Sequence, residues 1–330
     1  MTDTLLKVEA LNVDYAVGGG GLLGGGRKTL RAVSDISFTM NAGETLGVVG
    51  ETGCGKSSLG KAILNLVTPS GGRVLWQGRD IAKMDRGEIR ALRGEMQIVF
   101  QDPLSSLNPR MTVGEIVAEP LRVHAPELSA EQRNTAMVAM LERVGLRADM
   151  QNRYPNEFSG GQCQRISIAR AMIVEPQLIV CDEAVSALDV SIQAQICNLL
   201  RDLQRETGVS LLFISHDLSV VRYMAQRILV MYLGNLMELS PRDELFERPR
   251  HPYSRALIGA VPEADPQRRI VDSLVALEGE IPSPLNPPSG CVFRTRCPNA
   301  TPACVGAVPE RESVGPAHTL ACHHWRTLTD

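Results

Sequence analysis

The stretch "GETGCGKSSLGKAI" (Gly50–Ile63) narrows what this chain can fold into more than any other. Gly50, Gly55, Lys56 and Ser57 fit the spacing G-x-x-x-x-G-K-[ST]. The apolar run "ETLGVVG" ahead of it reads as a strand, and Leu59, Ala62, Ile63 and Leu66 behind it recur at helical spacing. A strand, a glycine loop and a helix in that order belong to an α/β fold with a mainly parallel sheet. Glycines let backbone N–H groups wrap a phosphate without side chains in the way, and the helix N-terminus adds a favourable dipole. The cradle then runs through Gly50, Glu51, Thr52, Gly53, Cys54, Gly55, Lys56, Ser57 and Ser58. Lys56 is placed to reach the β/γ-phosphates, and the Ser57 hydroxyl to ligate Mg²⁺. The flanking strand and helix weigh against the other reading, a glycine turn that only caps a helix.

Farther along, "LIVCDE" and "SLLFISH" are unbroken apolar runs ending in polar residues, as strands buried on both faces are. Ile192, Ile196, Leu199, Leu200 and Leu203 form a helical stripe between them. Asp182 and Glu183 therefore emerge at the C-terminal end of a strand, where α/β sheets bind ligands. Asp182 is suited to the Mg²⁺ shell, and Glu183 to orienting or deprotonating a water that attacks the γ-phosphate. Alone, the two acids read equally well as solvated strand-end charges; behind a phosphate loop the functional reading prevails. No N-K-x-D guanine-reading motif occurs, which favours ATP over GTP.

From about Asp102 to Ala171 the strand pattern disappears, and Met137, Met140, Leu141 and Val144 mark a helix that stops at Gly145. This block reads as a helical insertion in the α/β core. "GGGGLLGGG" (Gly18–Gly26) reads as a flexible connection. Within "FSGGQCQR", Ser159 and Gln162 make a capping box, so a helix opens there beside Gly160 and Gly161. Its bare N–H groups form a second phosphate-binding surface. A chain that already has one phosphate loop has no local need of another, so this one serves a nucleotide held by a partner subunit.

The 44% apolar and 22% charged content suits a globular chain of 330 residues with a sizeable core. A net charge of −3 argues against a binder of nucleic acid driven by a broad basic field. Apolar runs fall short of the roughly 18–20 residues that span a bilayer. The start "MTDTLLKVEALNVDY" lacks the features of a secretory signal, which places the chain in the cytoplasm.

With Gln101 in "VFQDP", "SALD" (Ser186–Asp189) and His216 in "ISHD", the ordered set resembles the ATPase of an ABC transporter over roughly residues 5–240. The resemblance implies a P-loop NTPase (RecA-like) core with an N-terminal antiparallel β part and a helical subdomain. It also implies two such ATPases sandwiching two ATP molecules head to tail. Ser159, Gly160, Gly161 and Gln162 would contact the ATP on the opposite subunit's Walker loop. Gln101 would link the Mg²⁺ site to the membrane subunits, Asp189 would touch the partner, and His216 would contact the γ-phosphate. Tyr15 matches the place where the family stacks an aromatic on adenine; a core tyrosine is the other reading.

"GETGCGKSSLGKAIL", "MQIVFQDPLSSLNPRMTVGEIVAEPL", "CDEAVSALDVSIQAQI" and "HPYSRAL" look, more narrowly, like the ATP-binding subunits of dipeptide/oligopeptide importers. Nickel, glutathione and opine importers share that subfamily. The implied organisation is an ATPase domain over 1–245, with its core at about 1–101 and 172–245 and its helical subdomain at about 102–171, followed by an extension over 246–330. Implied partners are an identical or paralogous ATPase, two transmembrane permease subunits and, indirectly, a substrate-binding protein, at the cytoplasmic face of the membrane. On that resemblance Met111 to Leu121 and Tyr154 lie in the helical block that faces the permease. "HPY" by itself yields no chemistry and reads as well as a proline turn.

Of eight cysteines, Cys54, Cys163, Cys181 and Cys197 are scattered singly. Cys291-x5-Cys297-x6-Cys304-x17-Cys322 supplies four thiols in a loop-rich segment. In a reducing compartment such a cluster reads as a metal site before a disulfide framework. Soft sulfur ligands select zinc or an iron–sulfur cluster, and the close cysteine pairs of zinc ribbons are missing. The resemblance implies a [4Fe-4S] cluster; zinc, unligated thiols, and mixed ligation by His318, His323 or His324 stay open.

Overall fold

The computed structural model of the protein describes residues 4–18, 28–260 and 279–328. All of the glycine run except Gly18 lies outside them. Two compact units make up the chain.

One unit comprises Met1–Leu6, Met40–Thr45 and Trp76–Ser215. Strands Met96–Val99, Leu178–Asp182 and Ser210–Ile214 lie parallel, with Met96 opposite Leu178 and Leu178 opposite Ser210. The last two are buried at every position, as their unbroken apolar runs require. Between Val99 and Leu178 the described residues form helices, turns and loops but no strand. Two of the helices begin on reciprocal caps: Thr112 with Glu115 for Val113–His124, and Ser129 with Gln132 for Ala130–Arg143. The second ends where the sequence puts its stop. Gly145 takes φ 77°, its N–H donates to the Glu142 carbonyl, and the Leu146 N–H donates to the Leu141 carbonyl. Helix Val190–Thr207 runs from an Asp189 cap to Gly208 and buries Ile196, Leu200 and Leu203. Ile192 and Leu199, the rest of the expected stripe, are half-buried.

The other unit comprises Lys7–Thr39, Leu46–Leu75 and His216–Asp330. Leu46 to Val49 run parallel to Arg227–Tyr232, which turns back as the antiparallel strand Asn235–Pro241. Strand His318–Leu320 then adds to Asn235–Pro241, and Glu312–Gly315 adds to His318–Leu320. The proline- and cysteine-rich end of the chain thus supplies two sheet strands that its sequence does not advertise. Strands Lys28–Asn41, Thr4–Val17 and Gly71–Trp76 neighbour one another in that order. Along Lys28–Asn41 the buried Val33, Ile36, Phe38 and Met40 bring its inward face to the core.

The helix after the glycine loop is shorter than its apolar spacing suggests. It spans Lys56–Ile63, and Leu66 lies past its end, 50% exposed. Asn65 adopts φ 52°, which an α-helix cannot continue through.

Candidate nucleotide site

The glycine loop has the shape that its composition implies. Gly55 caps helix Lys56–Ile63 at φ 105° with no side-chain cap bond, so the helix N-terminus with its positive dipole end faces the loop. A Cβ at Gly55 would lie 2.0 Å from the Ala32 carbonyl oxygen; one at Gly50, where φ is 150°, would lie 2.1 Å from that of Met231. Both contacts are with backbone, so neither can yield cheaply. Buried Lys56 donates through Nζ to the carbonyls of Gly50 at 2.8 Å and Glu51 at 3.1 Å, which holds the ammonium across the loop. Thr52 and Gly53 are exposed and Ser57 half-buried. Burial pushes the Cys54 thiol upward, so it packs as a neutral group despite the Lys56 charge beside it. Tyr15 is half-buried and its hydroxyl donates to Ser58 Oγ at 3.3 Å, which sets the ring beside this loop. Gly55→Ala should therefore distort the cradle at a cost of about 1–3 kcal/mol. Titration with a fluorescent ATP analogue should show affinity falling roughly tenfold.

In the other unit, Asp182 closes its strand, 7% exposed, and Glu183 follows at φ 50°. The Glu183 N–H donates to the Ile214 carbonyl at 3.0 Å, fixing this left-handed turn to the neighbouring strand. Gln101 Nε2 donates to Glu183 Oε2 at 3.1 Å and to Ser186 Oγ at 3.4 Å. The structure thus brings together two predicted residues that lie 82 positions apart. His216 is exposed in the bend that follows strand Ser210–Ile214.

The helix that "FSGGQCQR" opens, the signature helix, is Gly160–Met172. Its capping box forms as read: the Gln162 N–H donates to Ser159 Oγ at 3.4 Å, and the Ser159 N–H to Gln162 Oε1 at 3.0 Å. Ser159, Gly160 and Gly161 remain at the surface or half-buried. A Cβ on Gly161 would meet Ile192 Cγ2 at 2.5 Å, so the glycine lets the following helix approach. Asp189 accepts from the N–H groups of Ser191 and Ile192 and from the Ser191 hydroxyl at 2.7 Å. Those bonds, the Ser191 hydroxyl first, hold its carboxyl below the usual range. Next to it, Val190 is 83% exposed.

Two residues that touch the phosphate loop are not legible as such in the sequence. The Glu51 N–H donates to the Tyr253 hydroxyl at 3.0 Å. Arg296 pairs with the Glu51 carboxylate through both terminal nitrogens, at 2.7 and 3.0 Å. "HPY" is accordingly more than a proline turn. His251 caps helix Pro252–Gly259 by accepting the Tyr253 N–H, and Tyr253 is completely buried against the loop.

The four late cysteines gather in one region, with Cys291 and Cys304 buried and Cys297 and Cys322 half-buried. Burial, then the neighbouring Cys304, Cys297 and Cys322, push the Cys291 thiol up to about 11. The His324 N–H donates to Cys322 Sγ at 3.4 Å. The expected metal centre is nevertheless not formed as a cage: among the described residues no three His, Cys, Asp or Glu side chains are set to hold a metal ion. The histidines weighed as mixed ligands are otherwise engaged. His318 bonds Glu238 and Glu244, His323 bonds the Ala307 carbonyl, and His324 bonds Thr301.

Comparison with known proteins agrees with this geometry. The family described as "ABC transporter" matches residues 33–186, and that described as "Oligopeptide/dipeptide transporter, C-terminal region" matches residues 237–304. The oligopeptide transport ATP-binding protein OppF of Haemophilus influenzae is 52% identical over 97% of this chain and 97% of its own. OppF of Escherichia coli is 56% identical over 89% of this chain and 88% of its own. A probable peptide ABC transporter ATP-binding protein of Sinorhizobium fredii is 53% identical over 98% and 90%. Among solved structures, cbiO1 of Clostridium perfringens, part of the ABC transporter complex cbiONQ, superposes with TM-score 0.65 at 28% identity, covering 74% of this chain and 92% of that one. The dimeric post-hydrolysis state of the ATP-binding cassette MJ0796, with ADP and Pi, gives 0.63 at 27%, covering 72% and 98%. With phosphate loop, strand-end acids and capped signature helix all in place, the chain belongs to the ATP-binding subunits of ABC transporters.

Proposed function

We propose that the chain hydrolyses ATP within a head-to-tail pair of ATPases and so drives uptake of di- or oligopeptides through separate permease subunits. One observation carries the reading. Besides its phosphate loop the chain presents a second glycine-bearing helix start at its surface, where Ser159 and Gln162 cap each other beside exposed Gly160 and half-buried Gly161. A partner's γ-phosphate is the ligand that this surface fits. Similarity to OppF proteins along nearly the whole chain supports the peptide cargo. No helix among the described residues is long and apolar enough to cross a membrane, so the passage for cargo falls to other subunits. The chain would sit peripherally at the cytoplasmic face of the membrane, paired with an identical or a paralogous ATPase, with a substrate-binding protein delivering cargo.

Bound Mg²⁺, held by Ser57, Asp182 and Gln101, would supply positive charge against the triphosphate. The loop N–H groups and Lys56 bind and orient the β- and γ-phosphates. Glu183 takes a proton from water as the water oxygen bonds to the γ-phosphorus and the bond to the β-phosphate oxygen breaks, leaving ADP and phosphate. Gln101 holds the Glu183 carboxylate in position, and His216 donates toward the γ-phosphate. The partner's Ser159 region closes over the γ-phosphate and excludes water from the site.

Four thiols gathered in one region are the donor chemistry that a soft metal takes, although they do not form a cage among the described residues. We assign them to a [4Fe-4S] cluster ahead of zinc, in a structural role. Iron, sulfide and zinc analysis of anaerobically purified protein checks this.

Ser159→Arg tests the shared site. The variant should bind Mg-ATP like the wild type yet neither dimerise on ATP nor hydrolyse it above background. A variant that turns over ATP as a monomer would defeat the head-to-tail reading. A chain that co-purifies with RNA or DNA, and not with permease subunits, would favour a soluble ATPase acting on nucleic acid or ribosomes.

A further inference from the structure

Glu51 lies inside the phosphate loop, where an unpaired carboxylate would repel a triphosphate. It is held at each of its polar groups. Its N–H donates to the Tyr253 hydroxyl at 3.0 Å, its carbonyl accepts from Lys56 Nζ at 3.1 Å, and its carboxylate takes both arms of Arg296. The Arg296 and Glu51 side chains are only 5% and 20% exposed, so solvent does little to screen the pair. A planar guanidinium in two-point contact fixes orientation as well as charge.

Arg296 is itself rigidly mounted. Its N–H donates to the Phe293 carbonyl at 3.0 Å, and its guanidinium lies 5.8 Å from the Tyr232 ring centre. Tyr232, Tyr253 and Phe293 form a buried aromatic cluster with ring centres 4.9 to 5.3 Å apart. A strand of the ATPase core, the helix that "HPY" opens and the cysteine-bearing segment each contribute one ring. The contacts span 202 and 245 positions, so the late part of the chain reaches back to the loop at two points.

We infer that Arg296 and Tyr253 are positioning residues for nucleotide binding: they neutralise and pin Glu51, so that the loop's N–H groups are preorganised for the triphosphate. The cysteine-bearing segment is then part of the nucleotide-binding apparatus and not a passive appendage. This rests on the reading that the loop binds Mg-ATP.

The test uses the full chain and a fluorescent Mg-ATP analogue, with circular dichroism as a check on folding. Arg296→Ala should weaken binding at least tenfold because it leaves Glu51 charged and loose. Glu51→Gln in the same chain should recover most of that loss by removing the stranded charge, which a merely structural role for Arg296 would not allow. Tyr253→Phe should weaken binding severalfold. Should Arg296→Ala not fold, Arg296→Lys carries the same comparison, with a severalfold loss restored by Glu51→Gln. Unchanged affinity in the folded Arg296 variants, or a double variant no better than the single one, overturns the inference. A wild-type chain that does not bind Mg-ATP would instead overturn the reading of the loop itself.

Discussion

Glu183→Gln is expected to bind Mg-ATP with wild-type affinity and to hydrolyse it roughly 10²–10⁴-fold more slowly, the usual contribution of a positioned base. The substitution is nearly isosteric. Its amide oxygen can still accept from Gln101 Nε2, which donates to Glu183 Oε2 at 3.1 Å. The backbone should hold as well. Glu183 sits at φ 50°, a conformation that costs a non-glycine residue about 1–3 kcal/mol. It is kept there by its N–H on the Ile214 carbonyl and by the Ser186 hydroxyl, which donates to the Glu183 carbonyl at 2.9 Å. Neither bond involves the carboxylate. What the variant loses is the proton acceptor alone, so equilibrium binding of the analogue should be unchanged while single-turnover phosphate release slows. Release at the wild-type rate would remove Glu183 from the mechanism.

His318→Gln is expected to destabilise the fold by about 3–5 kcal/mol, because it takes away one partner of a buried charge. Glu238 is fully buried and accepts from His318 Nε2 at 2.9 Å and from the N–H groups of Arg250 and His251, both at 3.0 Å. Burial alone would raise the Glu238 carboxyl; the bonds from His318 and those N–H groups outweigh it and hold the group below its ordinary 4.5. Burial would likewise lower His318, but Glu238, and Glu244 at 3.1 Å from Nδ1, raise it above its ordinary 6.5. The signs then follow. His318 contributes its full stabilisation below pH 6.5 and loses it as pH rises through its elevated value. Glu238 contributes above pH 4.5 and loses it as pH falls through its depressed value.

His251, completely buried and driven down to about 4, works the other way: below pH 6.5 the unfolded chain takes up a proton that the folded one refuses. In the wild type the two histidines offset each other. Without His318 the acid penalty from His251 stands alone. Urea midpoints of the variant should therefore drop from pH 7 to pH 5 more steeply than those of the wild type. A deficit that is constant with pH would contradict the charged pairing.

Much of this was legible in local patterns. The phosphate loop declares itself because only glycine tolerates the backbone approaches at positions 50 and 55, and the buried strands because they are apolar without a break. The Ser159–Gln162 cap was readable because its two residues are three positions apart and bond each other. The hold on Glu51 was not, since Tyr253 and Arg296 look, in sequence, like a helix start and a loop cation; only the folded chain makes them neighbours of the loop. The strands Glu312–Gly315 and His318–Leu320 escaped notice because they are short and carry few of the β-branched or aromatic residues that mark a strand. Leu66 misled in the opposite direction, its spacing continuing a helix that the backbone at Asn65 had already ended.

That late hairpin has one more effect. Asn235–Pro241 would otherwise present a row of unsatisfied N–H and C=O groups along its outer side, a template for pairing with other chains. His318–Leu320 covers part of that row, and the strand now outermost, Glu312–Gly315, is only four residues long and carries a glutamate and a glycine. A short, charged border of this kind offers another chain little to pair with.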